Sequence, residues 1–230
     1  MALRLHAITL IDAQHGLSPG DGLARGAPER DGGLGGVASA AEKETGPTLI
    51  PFRDLAAVVS EQKSFALDEL GTAGLEYHRQ VVDAIFRRSA VLPAPAGVVF
   101  RTPEVLRRWM ELHYVSLTDA LEFVDDRAAA RVHIARVDAK RDAHESGADT
   151  TSASAESFRA LRRRAVAAVP LRHDDDQTGR LLSASFLVER DLWNDFLHAV
   201  EEQRDAHQHL RYDVTGPWAP YDFVRMQFGG

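Results

Sequence analysis

From Leu210 to Phe228 the chain reads LRYDVTGPWAPYDFVRMQF, and this stretch limits the possible folds more than any other. Leu210, Tyr212 and Val214 alternate with Arg211 and Asp213, the period-two pattern of a half-buried strand. Gly216-Pro217 is expected to end that strand, because proline has no N–H for a ladder. Pro217 and Pro220 also push the residues before them towards extended geometry. Trp218, Tyr221, Phe223, Val224, Met226 and Phe228 then crowd together. A free tail this apolar would aggregate, so it is expected to dock on the protein itself and strap a second domain to a first.

Upstream, two blocks are distinguishable. In the first, MALRLHAITLIDA reads as a strand, its run broken by His6, Thr9 and Asp12 rather than shaped as a signal peptide. Residues 14–46 are rich in Gly, Ala and charge without periodicity, and are expected to be a disordered insertion. Thr48–Phe52 is a short strand, followed by Asp54–Ser60. A helix is predicted over about 70–88, with Leu75, His78, Val82 and Ile85 on one face. Val91–Phe100 holds Pro93, Pro95 and Gly97, a stiff extended segment ending in a turn. Thr102-Pro103-Glu104 is a helix start, with a cap, a first-turn proline and an acid at the positive dipole end. That helix should run to about Asp125, burying Leu106, Met110, Tyr114, Leu117, Leu121 and Val124, with Trp109 and Leu112 alongside.

The second block starts near Arg127. Its expected order is a strand at Val132 and Ile134, a polar loop over His144–Ser154, and a helix over 155–169. A short strand at Pro170–His173, a long one over Leu182–Val188, a helix capped by Asp191, and the Leu210–Val214 strand complete it. This is βαββαβ, the ferredoxin-like plan, with the Val132 and Leu182–Val188 strands central. The fold class is therefore α+β. An N-terminal α+β domain (1–126) carries the insertion, and a ferredoxin-like domain (127–230) carries the aromatic strap.

The formal net charge of −7 argues against a nucleic-acid footprint, which rests on basic surface. With no cysteine there are no disulfides, thiol zinc sites or thiol nucleophiles. No run is long and apolar enough to span a bilayer. His173-Asp174-Asp175-Asp176 is a dense set of potential hard-cation ligands, but its spacing fits no EF-hand and Gln177-Thr178-Gly179 makes it a hairpin turn. His78 reads as a boundary histidine with a satisfied hydrogen bond. The composition gives no catalytic, cofactor-binding or metal residue and no expected small-molecule ligand, so the expectation is a cytoplasmic non-enzyme. A ferredoxin-like sheet used as a small-molecule sensor is the alternative from another class.

Gly216-Pro217-Trp218-Ala219-Pro220-Tyr221-Asp222-Phe223-Val224 resembles the GPWPPYSFV signature of the GvpF/GvpL family of gas vesicle proteins, with Ala219 for a proline and Asp222 for a serine. Asp54–Ser60 is similar to the family's dLaavvs segment. Leu92, Pro93, Gly97 and Phe100 match its vLPlrfGtvf segment, whose middle is Ala94-Pro95-Ala96 here. The resemblance marks Pro93, Gly97, Gly216, Pro217, Trp218, Pro220, Tyr221 and Phe223 as motif positions. It implies an α+β domain followed by a ferredoxin-like one. It also implies a role in gas vesicle assembly through binding the hydrophobic shell protein and other accessory proteins.

Overall fold

The computed structural model describes residues 2–11, 46–62, 71–137, 147–172, 179–224 and 226. The expected insertion, Gly46 excepted, and the His173–Asp176 cluster lie outside them. The elements are β1 (Ala2–Leu10), β2 (Thr48–Phe52), β3 (Leu55–Gln62), α1 (Thr72–Phe86), β4 (Val91–Pro93), β5 (Val99–Phe100), α2 (Pro103–Val124) and β6 (Arg127–Arg136). They continue with α3 (Gly147–Arg162), β7 (Ala167–Pro170), β8 (Arg180–Glu189), α4 (Trp193–Ala206) and β9 (Leu210–Trp218). Contacts divide the chain into Met1–Asp119 and Ala120–Gly230.

The first unit holds an antiparallel sheet in the order β2-β3-β1-β4, with β5 also paired to β1. Central β1 and β3 are buried almost throughout, which is why LAAVVS reads as an unbroken small-apolar run rather than an alternation. Helix α1 packs on β1 and β4 through Val81, Val82, Ile85 and Phe86, all buried. Leu75, expected on that face, is half exposed one turn before it. Helix α2 starts as predicted, with Val105 N–H donating to Thr102 Oγ1 at 3.3 Å. Its Leu106, Met110, Leu117, Leu121 and Val124 are buried. Tyr114 stays at the boundary, its hydroxyl donating to Asp54 at 2.6 Å. Leu112 is 74 % exposed, contrary to its expected place beside the buried stripe. It lies six residues from Leu106, a separation that points to different sides of a helix.

The second unit is an antiparallel sheet in the order β7-β8-β6-β9, so β6 and β8 are central and β7 and β9 are edges. Ala130, Val132 and Ile134 of β6, Ala184, Phe186 and Val188 of β8, and Leu210 and Tyr212 of β9 form the core with Leu161 of α3 and Phe196 and Val200 of α4. The Phe158, Phe186 and Phe196 rings follow one another at centroid distances of 5.7 and 5.4 Å.

Three local expectations are corrected here. Helix α3 begins at Gly147, so Thr150–Ser154 is helix rather than loop. The hydroxyls of Ser154 and Ser157 donate back to the carbonyls of Thr151 and Ala153 at 2.9 Å, which satisfies them inside a helix that serine disfavours in isolation. The same helix stops at Arg162, and the alanines after it form β7 at Ala167–Pro170, not at Pro170–His173. Pairing of Ala167 with Leu187 and Ala168 with Phe186 overrides the helix propensity of alanine. At α4 the cap position is Leu192, with no side-chain bond, rather than Asp191.

Each edge strand ending either sheet order (β2, β4, β7 and β9) contains a proline: Pro51, Pro93, Pro170 and Pro217. The central strands β1, β3, β6 and β8 contain none. Ala94 N–H bonds to His6 O and Leu171 N–H to Ser183 O. By strand alternation the ring nitrogens of Pro93 and Pro170 then face outward, where a donor would otherwise invite another chain.

The two faces of α2 make a direct stability test. Leu106→Ala should cost roughly 2–5 kcal/mol, while Leu112→Ala should stay within about 0.5 kcal/mol of the parent. Urea unfolding of the two variants reads the difference.

Candidate functional site

The motif residues fall in two places, one in each unit. In the second unit, β9 does not end at Gly216-Pro217 as expected but runs through it to Trp218. The register explains how. Arg131 pairs with Thr215 and Ala129 with Trp218, so Gly216 and Pro217 together face Ala130 in a β-bulge. An edge strand tolerates the missing donor of Pro217, whose bond to Gly216 is cis. Gly216 sits at φ +136°, and a Cβ there would lie 2.7 Å from the Ala129 carbonyl oxygen and 2.9 Å from the Trp193 ring. Only glycine fits both conditions.

Beyond the bulge the chain turns back on the sheet. Ala219 and Pro220 are buried, and Asp222 accepts two bonds from the Arg131 guanidinium, at 2.9 and 3.1 Å. This bidentate pair ties the turn to the central strand β6. Thus Asp222, in the place of the serine of the resembled signature, has a defined partner. Trp218 departs furthest from the burial expected of the tail: it is 37 % exposed, with Nε1 donating to Thr215 Oγ1 at 3.2 Å. Tyr221 and Phe223 are half buried.

In the first unit Pro93 is buried in β4, and Gly97 makes the following turn at φ +95°. Of the three residues that depart from the family segment, Ala94 is buried while Pro95 and Ala96 are exposed. The backbone of Ala94 is held on both sides. Its N–H donates to the His6 carbonyl at 2.9 Å, and its carbonyl lies 3.1 Å from His78 Nε2.

That second bond belongs to a buried polar chain. His6 is the extra residue of a bulge in β1, between Leu5 paired with Val59 and Ala7 paired with Val58. Its Nδ1 is 3.2 Å from His78 Nδ1 and its Nε2 is 3.0 Å from Ser60 Oγ. The ring of Tyr77 meets His6 edge-on at 5.6 Å. Burial, then His78, then Arg4 lower the His6 pKa to about 3; His78 is lowered chiefly by burial as well. With both rings neutral, only one proton arrangement satisfies every contact. A carbonyl can only accept, so His78 Nε2 carries a proton and His78 Nδ1 accepts. His6 Nδ1 therefore donates to it, and Ser60 donates to His6 Nε2. His78 is hydrogen-bonded as expected. His6 was not singled out, although a histidine between Leu5 and Ala7 in an apolar strand was the available signal.

The arrangement resembles a nucleophile–base pair in its atoms, but all three side chains are less than 5 % exposed. Among the described residues no three His, Asp or Glu side chains converge as metal ligands. A cavity of about 330 Å³ in the second unit is lined by Arg163, Arg164, Val166, Glu189, Leu192, Asp195 and Phe196, with charges of both signs on its walls.

The profile of the gas vesicle synthesis protein GvpL/GvpF family matches residues 22–157 and 131–225. Gas vesicle protein F2 of Halobacterium salinarum is 29 % identical over 198 residues, covering 84 % of this chain and 85 % of that one. Gas vesicle protein F of a Streptomyces species is 46 % identical over a shorter segment of 44 residues, 19 % of this chain and 18 % of that one. Among solved structures, gas vesicle protein GvpF from Anabaena sp. PCC7120 superposes with a TM-score of 0.71 at 16 % identity, covering 100 % of this chain and 98 % of that one. GvpF from Microcystis aeruginosa gives a TM-score of 0.67 at 14 % identity over 98 % and 99 %. At these identities the two structures speak for the fold.

The histidine pair links stability to pH. Folded-state values below the ordinary histidine value of 6.5 mean that the unfolded chain binds more protons as the pH falls beneath that value. The contribution is complete above about pH 6.5 and is lost on acidification, at roughly 1.4 kcal/mol per pH unit for His6 down to about pH 3. Urea midpoints should therefore fall from pH 7 to pH 5. The combined variant His6→Gln with His78→Gln should be less stable at pH 7 and show a shallower slope.

Proposed function

The chain belongs to the gas vesicle synthesis protein GvpL/GvpF family, and from that premise we propose that it assists gas vesicle assembly by binding the hydrophobic shell protein before it is built in. The observation that carries this reading is the match of the family profile from residue 22 to residue 225, across both units. A shell subunit with one face meant for gas exposes apolar surface until it assembles. A soluble acidic protein that covers this face keeps the subunit from aggregating. Other accessory proteins of the vesicle are further partners in this reading, and the place of action is the cytoplasm. The role requires no chemistry. In keeping with that, the buried His6–His78–Ser60 chain is consumed in mutual hydrogen bonds and the Gly216–Asp222 turn in holding its own sheet.

Co-expression with the shell protein tests the proposal. The shell subunit should stay in the soluble fraction and co-purify with this chain. Equal aggregation with and without it, and no recovered complex, would defeat the proposal and turn attention to the charged cavity of the second unit as a ligand site.

A further inference from the structure

Helix α2 is apolar on two faces, whereas a helix lying on a sheet needs only one. Leu106, Met110 and Leu117 serve the core. On another face, Val105, Trp109 and Leu112 follow at the i, i+4, i+7 spacing of neighbours on a helix surface, and Val115 lies three residues further. Val105 is 49 %, Leu112 74 % and Val115 69 % exposed. The Trp109 ring is half buried, braced by Phe100 and His113 at 5.7 and 5.1 Å. Leucine and valine this exposed, side by side on a well-capped helix, contribute nothing to the folded unit itself.

We propose that this outward face of α2 is a docking surface for an amphipathic helix whose apolar stripe is flanked by lysine or arginine. The flank is argued from charge. Glu104, Glu111 and Asp119, all exposed, run down the side of the stripe that Val115 occupies, with Arg108 among them and Arg107 on their far side, beside Glu104 and Glu111. A partner with basic residues beside its apolar stripe meets that row favourably. A second copy laid antiparallel would set the row against itself. The mode is helix against helix, because the alternative, adding a strand, meets a proline in β2, β4, β7 and β9, and the remaining outer strand, β5, is only two residues long. The assignment rests on the functional reading above, in which the docking helix belongs to the shell subunit.

The test is recovery of co-expressed shell protein on the full-length chain. Leu112→Glu with Val115→Glu should melt like the parent yet recover about tenfold less shell subunit, the loss expected when central apolar contacts are removed. Glu104→Lys with Glu111→Lys should also weaken recovery, whereas Leu75→Glu, exposed on α1, should not. If melting shifts, Leu112→Ser with Val115→Ser replaces the first pair. Parental recovery by the Leu112 and Val115 variants would overturn the surface while leaving the functional reading intact. No recovery by the parent would bring down the functional reading, and this surface with it. Light scattering showing a parental dimer that the Leu112 and Val115 changes convert to monomer would overturn it in favour of self-association.

Discussion

Both sheets end in strands whose outer N–H and C=O groups have no neighbouring strand, and an open edge of this kind is a template for any extended chain nearby. In the proposed role, beside an apolar subunit that has yet to assemble, such an edge would be a particular hazard. Here the closure is local and chemical. Pro51, Pro93, Pro170 and Pro217 stand in the edge strands β2, β4, β7 and β9, the outer strand β5 is only two residues long, and the central strands β1, β3, β6 and β8 contain no proline. Among the described residues the exposed large apolar side chains group most densely on helix α2, at Val105, Leu112, Val115 and Phe123, while Leu75, Val137, Val166, Leu192 and Trp218 are exposed elsewhere. The distribution of proline thus constrains where partners can bind as well as how the sheets end.

The family-motif segments follow from the same economy of strand irregularity. A bulge in β9 lets Gly216 and Pro217 face one residue of β6, and the positive φ and the crowding at Gly216 exclude any side chain. The chain then turns so that Asp222 reaches Arg131. A bulge in β1 aims His6 at His78 and Ser60, and the resulting proton chain ends on the carbonyl of Ala94, inside the Pro93–Gly97 segment. In each unit, one extra residue in a strand fixes a segment that sequence similarity alone would mark only as a string. These groups are already engaged with each other, which fits a scaffold better than a reacting centre.

Much of the architecture was legible from period alone. The alternation in Leu182–Val188 and Leu210–Val214, and the capped start at Thr102-Pro103, translate directly into β8, β9 and α2. Several failures involve a residue whose local preference is overruled by the bonds it makes in the fold. Thr150–Ser154 looked like a loop because serine and threonine compete for the backbone, but in α3 the Ser154 hydroxyl bonds to a carbonyl one turn back, as does that of Ser157, which also meets Tyr212 at 2.7 Å. Ala165 and Ala168 fit a helical period, yet β8 claims Ala167–Pro170 as a strand. Pro217 looked like a stop because the pattern cannot say that its strand is an edge. The His6 cluster was illegible for another reason: its members are 54 and 72 residues apart, and only the sheet and α1 bring them together. Leu112 was misplaced by counting apolar residues without their angle around the helix, and that error is what exposes the second face.

The central claim is that partners engage this protein through a helical face while proline guards its sheet edges. Site-specific photo-crosslinking measures this directly, with a benzophenone side chain placed at position 112 on α2, at 49 in the β2 edge or at 168 in the β7 edge, and the shell subunit present. The account predicts a crosslink to the shell subunit from position 112 and none from 49 or 168. Crosslinks from either edge position with none from 112 would contradict it.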